Sequence, residues 1–274
     1  FQHHYISSDL PKDKGWGFGV SVLADLDMDG ELDYVTCVLK DSIYWFESNG
    51  KKEWTRHTIG KISTTQLGSA SLDVDGDGWL DIIIGGVWYQ NPQNPREKLF
   101  NKFVYDERIH NEIHDIVTAD IDGDDKIDIV VLGDKEGCFW YKIPENPVQD
   151  KNWERHLITM DVLKENDGIH GGFFPSGIGD LNDDGFADIV LPDRWLENNK
   201  HGEQWIEHPL PFARKRGPWG LSARSWIADI NKDGYPDIVM ADCDQVRSEI
   251  AWLENDGEQL PSFKPHFLQQ EAEG

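Results

Sequence analysis

The segment Asp73-Val74-Asp75-Gly76-Asp77-Gly78-Trp79-Leu80-Asp81, followed by Ile82-Ile83-Ile84, decides how this chain reads. Four more copies begin at Asp25 (DLDMDGELD), Asp120 (DIDGDDKID), Asp180 (DLNDDGFAD) and Asp229 (DINKDGYPD). Carboxylates or amides at the first, third, fifth and ninth places gather hard oxygen ligands within one turn, which suits Ca²⁺ and not a soft metal. The ligand sets so defined are Asp25, Asp27, Asp29 and Asp33; Asp73, Asp75, Asp77 and Asp81; Asp120, Asp122, Asp124 and Asp128; Asp180, Asn182, Asp184 and Asp188; and Asp229, Asn231, Asp233 and Asp237. Gly at the sixth place permits a positive φ. Asp125 takes that place in the third copy, and Asp enters the left-handed region more readily than most residues.

An EF-hand loop opens with a similar triplet but needs a bidentate Glu at the twelfth place and helices on both sides. The twelfth places here are Thr36, Ile84, Val131, Leu191 and Met240, inside β-rich runs such as DIIIGG, DIVVLG and DIVLPD. A calcium-binding turn between two strands remains. Its alternative is an acidic turn without metal, in which carboxylates this close would repel one another.

The copies begin 48, 47, 60 and 49 residues apart, and the rest of the sequence repeats with them. After each turn comes an aromatic strand carrying Trp45, Trp88, Trp140, Trp195 or Trp252. A further strand follows, ending in the Trp/Phe-x-x-His slot of His57, His156, His208 and His266, with Phe103 to Asp106 as the degenerate copy and Phe1 to His4 as an orphan one. Each unit of about fifty residues therefore reads as four short strands, and a fixed period of this kind predicts an all-β fold, a β-propeller of four-stranded blades. The turns and aromatic strands resemble VCBS/FG-GAP repeats, the family of integrin-α-like propellers and of many secreted bacterial carbohydrate-active proteins. One propeller domain over 1–274 is expected, with blades near 14–59, 60–109, 110–158, 159–210 and 211–268. Relatives of this repeat commonly close with seven blades. The resemblance thus leaves two readings: a five-bladed ring closed by the orphan strand of residues 1–7, or part of a larger ring.

The 274 residues carry a formal net charge of -25. Such a chain lacks the basic footprint that nucleic acid requires and is repelled by anionic lipid. No apolar run reaches the roughly eighteen residues of a membrane helix, so a soluble protein is expected. Cys37, Cys138 and Cys243 show no metal spacing and read as core thiols. A start at Phe1 instead of Met implies processing or trimming. Calcium turns of this kind fill at roughly millimolar Ca²⁺, which predicts a secreted, periplasmic or cell-surface protein. The absence of any Asn-x-Ser/Thr acceptor points to a bacterial source.

Residues that recur in every unit hold a repeat scaffold, whereas residues present once are better candidates for function. By that rule the histidines of the repeated slot are structural. His110, His114 and His170 instead fall in links between the outer strand of one blade and the inner strand of the next. These links, at 8–18, 60–68, 108–115, 159–177 and 211–225, emerge on one face of a propeller. They also carry Trp16, Asp115, Arg214, Arg216, Trp219 and Arg224. Trp226, inside an inner strand, reads as core.

Trp stacks on the apolar faces of sugars, and Arg and His contact hydroxyl or carboxylate groups. A carbohydrate ligand is therefore expected, with Trp16, His110, Arg214, Arg216 and Trp219 as binding residues. Some secreted propellers of this general look are polysaccharide lyases or sugar dehydratases. That analogy implies a β-elimination in which Arg224 or Arg214 neutralises a uronate carboxylate and His114 or His170 removes the proton α to it. A second version makes His110, His114 and His170 ligands of Zn²⁺ or another transition metal. A third reading is a non-catalytic carbohydrate- or protein-binding propeller, lectin-like or integrin-like. Concentration of the unusual residues in the third to fifth units favours a single site over repeated ones.

Overall fold

Every acidic turn joins the first two strands of an antiparallel four-strand meander, as the spacing predicts; four of these are four-stranded sheets and the fifth is extended to six strands by two short parallel ones. The computed structural model describes residues 5–7, 10, 18–38, 41–50, 53–61, 67–133, 136–160, 162, 168–212, 220–243 and 248–269. Among these residues there is no α-helix. Of the expected orphan strand, residues 1–4 lie outside the described residues.

The first sheet is β1 (Phe18–Ala24), β2 (Asp33–Val38), β3 (Ser42–Ser48) and β4 (Trp54–Lys61), in that spatial order. The second is β5 (Ser69–Leu72), β6 (Asp81–Ile84), β7 (Val87–Gln90) and β8 (Asn101–Val104). The third is β9 (Ile113–Ala119), β10 (Asp128–Gly133), β11 (Gly137–Tyr141) and β12 (Arg155–Thr159). Two short strands, β13 (Ile169–Gly171) and β14 (Pro175–Ser176), precede the fourth sheet, which is β15 (Ile178–Gly179), β16 (Asp188–Leu191), β17 (Arg194–Asn199) and β18 (Gln204–Pro209). The fifth is β19 (Leu221–Ala228), β20 (Asp237–Asp242), β21 (Ile250–Asn255) and β22 (Phe263–Gln269). β13 and β14 both run parallel to β19. These two strands are formed by the extra length behind the 60-residue spacing.

The chain divides into two compact units: Phe1–Ile113 with Ile143–Trp153, and His114–Lys142 with Glu154–Gly274. The first two sheets belong to the first unit. The other three, apart from Ile113, belong to the second.

Within each sheet the recurring Trp of the third strand pairs across to the repeated slot of the fourth. Trp45 stacks on His57 at a centroid distance of 4.4 Å, Trp140 on His156 at 4.0 Å, Trp195 on His208 at 4.4 Å and Trp252 on His266 at 4.5 Å. Phe103 replaces the imidazole in the second sheet, 4.9 Å from Trp88. Cross-strand aromatic pairs of this kind are the unit of sheet stabilisation. The described slot histidines are thus structural, as the repeat rule predicts.

The ninth-place aspartates do more than the sequence suggests. Asp33, Asp81, Asp188 and Asp237 are fully buried and Asp128 nearly so. One oxygen of each accepts the backbone N–H of the second turn residue, Leu26, Val74, Ile121, Leu181 or Ile230. In four repeats the other oxygen accepts an N–H from the third strand or its end, at Ser48, Asn91, Asn198 and Asn255. Three of those third-strand ends then reach the preceding repeat. Asn91 Nδ2 donates to Leu26 O, Asn198 Nδ2 to Ile121 O and Asn255 Nδ2 to Leu181 O, all from buried positions. These bonds satisfy backbone groups that burial would otherwise leave unpaired.

Candidate functional site

The turns assemble as their composition demands. The sixth places have φ of 90° at Gly30, Gly78 and Gly185 and 96° at Gly234, and Asp125 adopts 63°. Positive φ also occurs at the fourth places, Met28, Gly76, Gly123, Asp183 and Lys232, where no common residue type announces it. First-place carboxylates accept two or three N–H groups each: Asp73 takes those of Asp77 and Gly78, Asp180 those of Asp184 and Gly185, and Asp120 those of Gly123, Asp124 and Asp125.

Three sets of ligand oxygens lie within 4.8 Å of one another, on Asp25, Asp27 and Asp29, on Asp73, Asp75 and Asp81, and on Asp120, Asp122 and Asp128. In the fourth turn Asn182 Oδ1 is buried without a hydrogen-bond donor. Oxygen-only donor sets of this kind fit a hard cation such as Ca²⁺. Burial pushes the carboxyl of Asp33 up to about 6, those of Asp81 and Asp128 to about 7 and that of Asp188 to about 8, against partial opposition from the N–H groups they accept. A cavity of about 590 Å³ opens beside the fourth turn, lined by Asp180, Asn182, Asp184, Glu197 and Tyr235.

A second constellation sits in the second unit, where β9, β13 and β19 each supply a residue. His114 and Asp115 follow Ile113 in β9, His170 lies in β13, and Arg224 lies in β19. Parallel pairing of Ile169 with Leu221 and of Pro175 with Ser225 sets β13 and β14 against β19. Asp115 is the hub. Its Oδ2 accepts the N–H groups of Gly172, Phe173 and Phe174 at 2.6, 3.1 and 3.3 Å. Its Oδ1 faces His114 Nδ1 at 3.1 Å and accepts from Arg224 Nη1 at 2.8 Å. Burial pushes this carboxyl up, but His114, Arg224 and the Gly172 N–H outweigh it and hold Asp115 below the usual carboxylate range.

An ionised carboxylate only accepts, so Nδ1 of His114 carries a proton, and in the neutral form of the ring the lone pair lies on Nε2. The His170 ring is tilted against His114, centroid to centroid 4.2 Å. Gly171 makes this approach possible, since a Cβ there would stand 2.7 Å from His114 Nδ1. Arg224 is partly exposed and lies over the Phe174 ring, 5.3 Å from its centroid.

The structure therefore sets His114 and Arg224 on one buried carboxylate and His170 against the His114 ring. Asp115 is the member whose role the sequence does not reveal. His110 belongs to the first unit and is exposed. Trp16, Arg214, Arg216 and Trp219 lie outside the described residues. Among the described residues the only groups of three His, Cys, Asp or Glu ligand atoms within 4.8 Å are the aspartate sets. Trp226, read as core, is 52% exposed, because residues alternate faces along β19 and its buried neighbour Ser225 takes the inward place. Cys37 and Cys138 are buried thiols, Cys243 is half-buried, and none is in a disulfide.

Residues 25–84 match the FG-GAP-like repeat family, so the chain carries the repeat that its turns and aromatic strands resemble. Aldos-2-ulose dehydratase of Phanerodontia chrysosporium is 24% identical over 167 residues, which is 52% of this chain and 17% of that protein. The chain thus spans less than a fifth of that relative. Among solved structures, the Vibrio cholerae biofilm matrix protein Bap1 aligns over 94% of this chain and 40% of its own, with 17% identity and a TM-score of 0.47. A variant of the NanB sialidase from Streptococcus pneumoniae aligns over 95% and 50%, with 11% identity and a TM-score of 0.40.

Proposed function

We propose that this FG-GAP-like repeat chain is a carbohydrate-active β-propeller domain in which His114 and Arg224, positioned by Asp115, carry out a β-elimination on a sugar together with His170. The observation that carries the reading is Asp115, a buried carboxylate that orients a histidine and an arginine at once. The similarity to a protein named as an aldos-2-ulose dehydratase supports loss of water from a keto sugar as the particular elimination.

His114 Nε2 removes the proton on the carbon α to the carbonyl. Electrons of the broken C–H bond form the enolate, and Nε and Nη2 of Arg224, not used by Asp115, stabilise its oxygen. Collapse of the enolate forms the new C=C bond and breaks the bond from the β-carbon to its hydroxyl. The proton taken by His114 returns to the departing hydroxide through the His114 and His170 pair. Unsaturated sugar and water balance the substrate, with no co-reactant. Because Asp115 already neutralises Arg224, the site suits a neutral carbonyl better than a uronate carboxylate.

In the same reading the acidic turns hold Ca²⁺ and brace the sheets that carry the site. Sites of this kind fill at roughly millimolar Ca²⁺, the extracellular level, which supports a location outside the cytoplasm. Incubation with aldos-2-uloses and, separately, with uronate polysaccharides, followed by ultraviolet absorbance of the conjugated product, tests the reading. Turnover of the keto sugar that His114→Gln abolishes supports it. Inertness toward both substrate classes, with glycan binding retained, contradicts it and favours a lectin-like role.

A further inference from the structure

Two places after the recurring Trp, the third strand and its end carry Glu47, Gln90, Lys142, Glu197 and Glu254 in successive repeats. The three glutamates contact the slot histidine of their own sheet: Glu47 with His57, Glu197 with His208 and Glu254 with His266, each at 2.7 Å. Lys142 reverses the charge at this position and turns the other way. Its ammonium contacts Asp122 Oδ2 and lies 2.8 Å from Asp124 Oδ2, the third- and fifth-place ligands of the third turn. The slot histidine of that sheet is left behind. His156 Nε2 is buried without a hydrogen-bond partner, and its nearest carboxylate, Glu154, stands 3.7 Å away.

We propose that the Lys142 ammonium takes the place of the metal in the turn at residues 120–128, so that this turn closes without calcium while the second and fourth turns, whose ligand carboxylates are faced by the amides of Gln90, Gln93 and Asn182, bind it. The first turn has a cation of its own, Arg96, in contact with Asp27 Oδ2 and 3.6 Å from Asp29 Oδ2. The inference rests on the calcium reading of the other turns. An ammonium in contact with two of the oxygens satisfies their charge, and it would repel a divalent ion in the same ring. The remaining geometry is intact, because Asp120, Asp122 and Asp128 still bring ligand oxygens within 4.8 Å. Removing the ammonium should therefore open a site. The fourth turn differs at the same position: Glu197 is engaged by His208, and the amide facing Asp184 is the turn's own Asn182.

The test is the number of calcium equivalents bound by the full chain in isothermal titration, with melting temperature in EGTA and in Ca²⁺ as a second readout. Lys142→Gln is expected to bind one equivalent more than the parent and to gain more in melting temperature from Ca²⁺. Lys142→Glu should do the same and also supply His156 with the partner that the other sheets have. In the parent background Asp124→Asn should leave the number unchanged, whereas Asp184→Asn should lower it. A parent that binds calcium, with no added equivalent in Lys142→Gln or with an equivalent lost in Asp124→Asn, overturns this inference alone. Absence of calcium binding in parent and Lys142 variants alike overturns it together with the calcium reading of the other turns.

Discussion

Asp115→Asn isolates the hub of the candidate site with almost no change of volume. The amide retains one acceptor oxygen, and the three N–H groups of Gly172, Phe173 and Phe174 hold that oxygen at the Oδ2 position. Its NH₂ is thereby forced toward His114 Nδ1 and Arg224 Nη1, which the carboxylate faced through Oδ1. Two donors cannot satisfy one another, so the Arg224 bond is lost. His114 can accept from the amide only by moving its proton to Nε2, which removes the lone pair that acts as base. Hydrogen bonds to charged groups contribute about 1.5 to 3 kcal/mol each, so losing this charged bond and weakening the His114 contact should cost about 3 kcal/mol. Breaking a buried ion pair by changing one partner gives a similar figure, about 3 to 5 kcal/mol. Urea unfolding should show this as a lower midpoint at unchanged slope. Elimination activity should fall by about 100-fold or more, the contribution of a positioned base. A variant within about 0.5 kcal/mol of the parent, the range of ordinary surface substitutions, would refute the hub role of Asp115.

Gly171→Ala places a methyl group 2.7 Å from His114 Nδ1 and should push the ring off Asp115, lowering kcat more than melting temperature; equal kcat in variant and parent counts against the close approach. Trp195→Ala removes a buried ring stacked on His208 and should destabilise by about 3 to 5 kcal/mol in chemical denaturation. The ninth-place aspartates predict a pH dependence of known sign. Asp33, Asp81, Asp128 and Asp188 have carboxyls raised from 3.8 to between about 6 and about 8, so between those limits the folded state holds more protons than the unfolded. Stability in EGTA should therefore be greatest at the acidic end of that window and fall as pH rises through it. Saturating Ca²⁺ should raise the melting temperature and flatten this slope, since a bound cation favours the ionised carboxylates. Melting curves from pH 4 to pH 8 that are identical with and without Ca²⁺ would count against the turns as calcium sites.

What the sequence discloses is whatever is encoded locally and repeated. Alternation of apolar and polar residues, Gly or Asp125 where positive φ is needed, and the Trp and His slots each act within one sheet, so strands, turns and stacked pairs could be assigned without coordinates. The ninth aspartate shows the limit. Its placement in the motif suggests a ligand, yet its buried contacts to Leu26 and Ser48, or to Val74 and Asn91, depend on a third strand whose register no local pattern fixes. Asp115 is harder still, being one of 51 acidic residues and, apart from its neighbour His114, distinguished by partners 57 to 109 positions away. The histidines were visible because they break the repeat. β13 and β14 were not, since their parallel pairing with β19 leaves no hydrophobic signature in so short a stretch.

The most direct test of the central claim is exchange of the proton α to the carbonyl. An aldos-2-ulose incubated with the protein in D₂O, and followed by proton NMR, should lose that resonance while an unsaturated product accumulates. His114→Gln and Asp115→Asn should abolish both changes while leaving the protein folded by circular dichroism. Exchange and elimination that proceed unaltered in folded His114→Gln would contradict the account.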